Sequence, residues 1–395
     1  MSIIVSSCGR FHAVHLATAL ANQNLLTQFF YAGIPADRSL FQSQKLSFQA
    51  LISFCDRAYV KFKLEKILPL SPWYTARDRA FDLWVNKKTN NYLCQAKAFV
   101  GWANCSLTTM QGLKNKLPLV LECGSMHIND TKRILETEFE KHGQSFYLME
   151  KNRQTILQEY ELADFIFVPS EHVKNSFINN GVPEKKIIKV PYGANTEVFF
   201  DEKTKTLENE INFIFTGCLS LQKGLFYLLK AWEAIPAKIK SVANLILVGQ
   251  PTKDFDIMKK SFKNLDKVFF LGPKKQVEIK KIYEKCHVFI MPSLQEGLAM
   301  VIGEAMASGL AIICSDRSGG YELINDETGF IVEAGNTDTL NEKILWCIRN
   351  PKKVIKMGEV AKKIAQSYTW KEYGTKVINK YGELFGLSIP SSPGL

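Results

Sequence analysis

The sequence predicts an α/β protein made of two parallel-sheet domains. Three observations lead there. Apolar strand-like runs alternate with helical ones in both halves. The chain has 395 residues, enough for two separate cores. A turn-rich stretch, Pro191-Tyr-Gly-Ala-Asn-Thr196, divides the two sets of alternating segments.

In the first half, strands are expected at Ile3 to Ser6, Leu26 to Tyr31, Lys97 to Gly101, Leu119 to Glu122, Phe165 to Pro169 and Lys186 to Val190. Ala13, Leu16, Ala17 and Leu20 recur at helical spacing and give the first crossover helix its core stripe. Ser170 is the expected N-cap of a helix through Phe177, ended at Asn179-Asn-Gly181. In the second half a strand runs to Gly217, and Leu225, Leu228, Leu229 and Trp232 then share one helical face, stopped by Pro236. The stretch from Asp201 to Glu210 is polar and reads as an exposed loop. The expected boundaries are residues 1–192, 193–367, a last helix over 368–387 and a disordered tail, 388–395, of Pro/Ser/Gly character.

Composition excludes several classes. No run approaches the roughly 18 to 20 apolar residues that span a bilayer. The N-terminus reads as a first strand and not as a signal peptide. Nine cysteines without a C-x-x-C pair read as reduced, largely buried thiols, not a disulfide framework or zinc site. The net charge of +11 calls for an explanation. Between Arg57 and Lys88, basic residues (Lys61, Lys63, Lys66, Arg77, Arg79 and Lys87) interleave with Phe62, Leu64, Ile67, Leu68, Trp73 and Phe81. That pattern suits an anionic membrane face, or is simply a solvated lysine-rich surface. No nucleic-acid module accompanies the charge, so nucleic acid is not an expected partner.

The chemistry-bearing segment is Glu296-Gly-Leu-Ala-Met-Val-Ile-Gly-Glu304. It follows the apolar run His287 to Ser293 and enters a small-residue helix ending at Gly309. One acid therefore stands in the loop beyond a strand's carboxyl end and the other inside the helix. Ligands of open parallel sheets sit in that crevice, and helix N–H groups there favour phosphate. Two acids beside a phosphate site suit vicinal hydroxyls, one pair on a sugar and one on a ribose. The segment resembles the E-x7-E signature of retaining glycosyltransferases of family 4, which have the GT-B fold. The resemblance extends to Phe215–Trp232, which looks like the family's diphosphate loop and following helix. Leu245–Gly249, Phe269–Pro273 and Cys314–Ile324 fall in the expected order.

The resemblance implies two Rossmann-like domains facing across a cleft, the first binding acceptor and the second a nucleotide sugar, with Tyr368 to Phe385 crossing back to the first. It implies no cofactor and no required metal. Glu304 resembles the acid that accepts from both ribose hydroxyls, as a carboxylate with two oxygens can. Glu296 resembles the acid that contacts the donor sugar, while N–H groups of Gly297, Leu298, Ala299 and Met300, with Val301 beside them, approach sugar or phosphate. Lys223 resembles the lysine that pairs with the diphosphate, whose charge grows as the glycosidic bond breaks. Gly217 opens that loop. Gly272, Pro273 and Lys274 are expected at the base, and Gly9 near the phosphates. His127 resembles a histidine beside the donor sugar, although a lone histidine also serves as a cap. Arg10 and His12 are candidates for acceptor contact or surface residues. One departure stands out: many relatives carry an arginine where this chain has Cys218, so that Arg317 or Lys274 would have to contribute if Lys223 and backbone amides do not suffice.

Three patterns are declined. Asp254-Phe-Asp256 mimics a D-x-D metal motif but falls at a helix start, where acids cap. Ser220-Leu-Gln-Lys223 lacks supporting acyl-transfer motifs. Asn104-Cys-Ser106 is a glycosylation sequon only in an exported chain. The expected function is retaining transfer of a sugar from a UDP- or GDP-linked donor to a glycan or lipid-linked acceptor, in the cytoplasm or at the inner face of the cell membrane. A sugar-nucleotide epimerase or phosphorylase and a non-catalytic GT-B scaffold are the alternatives.

Overall fold

A computed structural model describes residues 2–9, 12–32, 45–48, 52, 54–55, 70–206 and 210–387. The basic residues Lys61, Lys63 and Lys66, the acceptor candidate Arg10 and the tail 388–395 lie outside them. The first lobe holds β1 (Ser2–Ser7), β2 (Leu26–Tyr31), β3 (Leu46–Phe48), β4 (Ala96–Trp102), β5 (Leu119–Glu122), β6 (Phe165–Val168) and β7 (Ile187–Lys189). They pair in the order β3-β2-β1-β4-β5-β6-β7. The second lobe holds β8 (Ile211–Thr216), β9 (Ala243–Val248), β10 (Val268–Gly272), β11 (Val288–Met291), β12 (Ala311–Ser315) and β13 (Gly329–Val332), in the order β10-β9-β8-β11-β12-β13. Every described pairing is parallel.

Parallel strands covered by helices on both faces must be apolar throughout, and β2, β5, β11 and β12 are buried along their whole lengths. The stripe Ala13, Leu16, Ala17 and Leu20 is buried on the Ala13–Asn22 helix, as are Leu225, Leu228, Leu229 and Trp232 on the Leu225–Glu233 helix. In each sheet the chain reverses its lateral direction once, between β1 and β4 and between β8 and β11. The loops after those strands flank a crevice.

The chain passes between the lobes twice, side by side. Ala194 N–H donates to the Tyr368 carbonyl at 2.9 Å, and a Cβ on Gly193 would lie 2.6 Å from the Thr369 backbone. The Trp370–Phe385 helix then packs on the Ala13–Asn22 helix, burying Tyr373, Val377 and Tyr381 in the first lobe.

Several expectations are corrected. Ser170 stands at the N-cap position but makes no capping bond, because its hydroxyl is used between the lobes. The polar stretch 201–210 is not simply exposed: Lys205 is buried and its Nζ donates to the Tyr283 carbonyl at 2.8 Å. Phe81, counted with a membrane-facing surface, is a fully buried core residue of the Leu70–Thr89 helix. Arg77 in that helix is held by Asp78 and lies over the Tyr74 ring. Five of the nine cysteines are buried and all are free thiols, while Cys94 and Cys218 are exposed.

Candidate functional site

The site is built on the β8/β11 reversal. The loop after β8 carries Lys223 and the loop after β11 carries Glu296, and the two side chains meet in an ion pair between Lys223 Nζ and Glu296 Oε2. Burial pulls the lysine ammonium down from its ordinary value, and the nearby Cys218 works the other way. Both side chains remain partly exposed, so an entering ligand can part them.

Local structure holds each loop. Asp254 Oδ2 accepts the Leu221 N–H at 2.7 Å, and Ser220 Oγ accepts that of Lys223 at 3.3 Å. Gly224 has φ +71°, and a Cβ there would lie 1.9 Å from the Pro292 carbonyl oxygen. Only glycine lets the start of the Leu225–Glu233 helix come this close to the β11 exit. Gln222 donates to Gln295 Oε1 at 2.7 Å and its carbonyl accepts the Leu294 N–H, so the two loops form one unit.

Glu304 lies in the middle of the Met300–Ala307 helix, buried, with Oε1 accepting from Asn195 Nδ2 at 3.2 Å. Burial raises its carboxyl to about 7, opposed by the Asn195 bond. Asn195 is held in turn by Trp370 Nε1 at 3.0 Å. Glu304 is therefore tied to both interlobe crossings. The Ala299 N–H is spent on the Ser318 carbonyl, while those of Gly297 and Leu298 meet no backbone acceptor among the described residues. Met300 and Val301 open the helix, so their N–H groups have no intrahelical partner.

The remaining expected residues are distributed as follows. Gly217 directly follows β8, and Gly272 ends β10, an edge strand. Pro273 and Lys274 beyond it are exposed, and Lys274 stands 4.0 Å from Glu278. Gly9 directs its N–H to Ser7 Oγ at 3.4 Å. Arg317 stands near enough to His172 to bias its charge.

Two of the expected site histidines are buried. His127 is buried, accepts the Asn129 N–H on Nδ1 at 3.3 Å as the cap of the Ile128–Lys141 helix, and packs on Tyr160 and Phe177. Burial pushes it down to about 4, so it is neutral. His12 is buried against Trp102, Tyr192 and Tyr373, with Nε2 bonded to Glu122 at 2.9 Å. Asp254 is a loop tether, and no group of three or more His, Cys, Asp or Glu able to hold a metal ion occurs among the described residues.

Sequence reasoning missed Asn195, Gln222, Gln295 and His172, and gave Ser170 only a capping role. Only Asn195 carried a signal, as a polar residue inside the turn-rich junction.

Comparison with known proteins supplies the family context. Residues 198–364, in the second lobe, match the family model of glycosyl transferases group 1. An uncharacterised glycosyltransferase of Methanocaldococcus jannaschii is 28% identical over 226 residues, 56% of this chain and 60% of that protein. The N,N'-diacetylbacillosaminyl-diphospho-undecaprenol alpha-1,3-N-acetylgalactosaminyltransferase of Campylobacter jejuni is 28% identical over 217 residues, 52% of this chain and 56% of that protein. The chain thus spans less than two thirds of either relative's length. Anabaena HepE, solved in complex with UDP-glucose, superimposes with TM-score 0.67 at 15% identity, over 97% of this chain and all of that one. The two facing parallel-sheet lobes are the GT-B fold.

Proposed function

We propose that the protein is a retaining glycosyltransferase of the family 4 type, moving a sugar from a nucleotide-diphosphate sugar to a glycan or lipid-linked acceptor without a required metal. The observation that carries this reading is the meeting of Lys223 and Glu296 at the β8/β11 reversal, beside a helix start rich in free N–H groups and a buried Glu304. A diphosphate entering there takes the ammonium, and sugar hydroxyls donate to the carboxylate it leaves. Negative charge growing on the departing diphosphate is met by Lys223 and by the N–H groups of Gly297, Leu298, Met300 and Val301, which stabilise the transition state more than the ground state. Glu304 accepts from the ribose hydroxyls.

On this reading attack comes from the face the nucleotide leaves, a donor phosphate oxygen takes the acceptor proton, and Glu296 orients the sugar without bonding to it. UDP-glucose in the HepE complex supports a UDP-linked donor. The diphospho-undecaprenol in the Campylobacter relative's name, with the net charge of +11, supports a lipid-linked acceptor at an anionic membrane face in the cytoplasm. Among the described residues no helix is long and apolar enough to cross a membrane.

A thermal-shift panel of UDP- and GDP-sugars tests the donor, since a ligand of the folded state raises the melting temperature by mass action. NMR of the product with the best donor then reads the anomeric configuration, and EDTA leaves the rate unchanged. Inversion, or metal-dependent turnover, would contradict the reading. A non-catalytic GT-B scaffold is the second reading, favoured by Cys218 at the position where many family members carry an arginine; such a protein binds neither UDP nor GDP in a calorimetric titration.

A further inference from the structure

Two side chains of the first lobe reach the loop that carries Glu296, and both take backbone oxygens. Ser170 Oγ donates to the Gly297 carbonyl at 2.6 Å, and His172 Nε2 donates to the Glu296 carbonyl at 2.8 Å. His172 Nδ1 lies 3.0 Å from Ser170 Oγ. Both residues belong to the β6 exit and the first turn of the Glu171–Asn179 helix. Nearby, Gln295 donates to Ser125 Oγ. A Cβ on Gly297 would lie 1.9 Å from the Gly124 carbonyl oxygen, so the loop is seated directly on first-lobe backbone.

The tautomer follows from the partners. A carbonyl only accepts, so Nε2 carries the imidazole proton, and the single Ser170 hydroxyl proton is shared between the Gly297 carbonyl and the Nδ1 lone pair. Burial keeps the ring neutral, with Asp316 and Glu322 opposing and Arg317 reinforcing that effect. A trans peptide is planar and sets its C=O and N–H on opposite edges. Holding the carbonyls of Glu296 and Gly297 from the first lobe therefore turns the N–H groups of Gly297 and Leu298 the other way. Neither of those N–H groups meets a backbone acceptor among the described residues.

We propose that His172, assisted by Ser170, is a positioning residue that aims the Gly297 and Leu298 N–H groups at the donor's sugar-diphosphate. The donor site would then be complete only while the first lobe is docked on the second, which couples lobe closure to readiness for transfer. The inference rests on the glycosyltransferase reading, and on interlobe contacts that the nucleotide portion of the donor does not need.

The test compares wild type with His172→Ala, His172→Gln and Ser170→Ala in two measurements. One is calorimetric titration with UDP and GDP. The other is steady-state kinetics with the sugar nucleotide giving the largest thermal shift. His172→Ala is expected to lower kcat about 100-fold through misplaced donor groups, while affinity for the nucleotide changes less than about twofold. His172→Gln, whose amide can donate to the Glu296 carbonyl, should recover most of the turnover, and Ser170→Ala should fall between. Wild-type kcat in the alanine variant, or a glutamine variant no better than alanine, would overturn the proposal. If alanine lowers the melting temperature, the comparison is made below the lower transition, where glutamine rescue still decides. Wild-type protein that binds neither UDP nor GDP and transfers from no sugar nucleotide would instead overturn the glycosyltransferase reading, and this inference with it.

Discussion

Lys223 and Glu304 divide the chemistry between charge and recognition, and substitution separates them. Lys223→Ala should cut kcat by roughly 100-fold, the scale for removing one transition-state donor, with a much smaller effect on donor affinity; equal kcat in steady-state assays would refute the assignment. Glu304 has its folded-state carboxyl raised from 4.5 to about 7 by burial. Its stabilising contribution is therefore full below pH 4.5 and lost as pH rises through about 7. That loss is up to about 3 kcal/mol. Urea melts should show stability declining over that window in wild type and flattening in Glu304→Gln, which should also bind donor more weakly. An unchanged pH profile in the variant would contradict the buried, titrating carboxyl. At this scale the sequence was legible where the pattern is local: Lys223 and Glu296 sit in patterned loops and Glu304 in the small-residue helix that follows. It was illegible where the partner comes from elsewhere in the fold. Nothing near Ser170 or His172 in the chain announces that they hold carbonyls more than a hundred residues away, and the packing of His127 on Tyr160 and Phe177 is likewise a tertiary fact.

Elements differ in the same way. Runs of buried, mostly apolar residues made β1, β2, β5 and β11 readable, since both faces of a parallel strand are covered. The three-residue edge strand β3 is too short to carry a period, and the Leu70–Thr89 helix was hidden in a stretch whose charges suggested a surface. The Gly224 turn joins two elements so closely that its residue type is forced. Gly224→Ala places a Cβ against the Pro292 carbonyl at positive φ. The cost should be at least about 2 kcal/mol, read as a lowered denaturation midpoint, with loss of nucleotide binding as the Lys223 loop lifts from Glu296. A wild-type midpoint would mean that the two loops are not packed as described.

The whole molecule depends on the second crossing between lobes. The Trp370–Phe385 helix buries Tyr373, Val377 and Tyr381 against the first lobe, and Trp370 also reaches Asn195, the residue bonded to Glu304. A chain ending at residue 367 would leave that first-lobe face uncovered and Asn195 unheld. It should unfold without cooperativity or aggregate, whereas the full chain melts in cooperative transitions by circular dichroism; a soluble truncation with wild-type nucleotide affinity would contradict this role. The two-lobed plan was readable because each half carries its own alternation of strands and helices. The interlobe bonds were not, because they join residues whose proximity only the assembled pair of sheets creates. A crystal structure with a bound UDP- or GDP-sugar probes the proposed donor site most directly. It should show the Lys223–Glu296 pair parted, with diphosphate oxygens within hydrogen-bond distance of Lys223 Nζ and the Gly297 and Leu298 N–H groups, and ribose hydroxyls on Glu304. Density for the nucleotide elsewhere, with Lys223 still on Glu296 and Glu304 bonded only to protein, would contradict it.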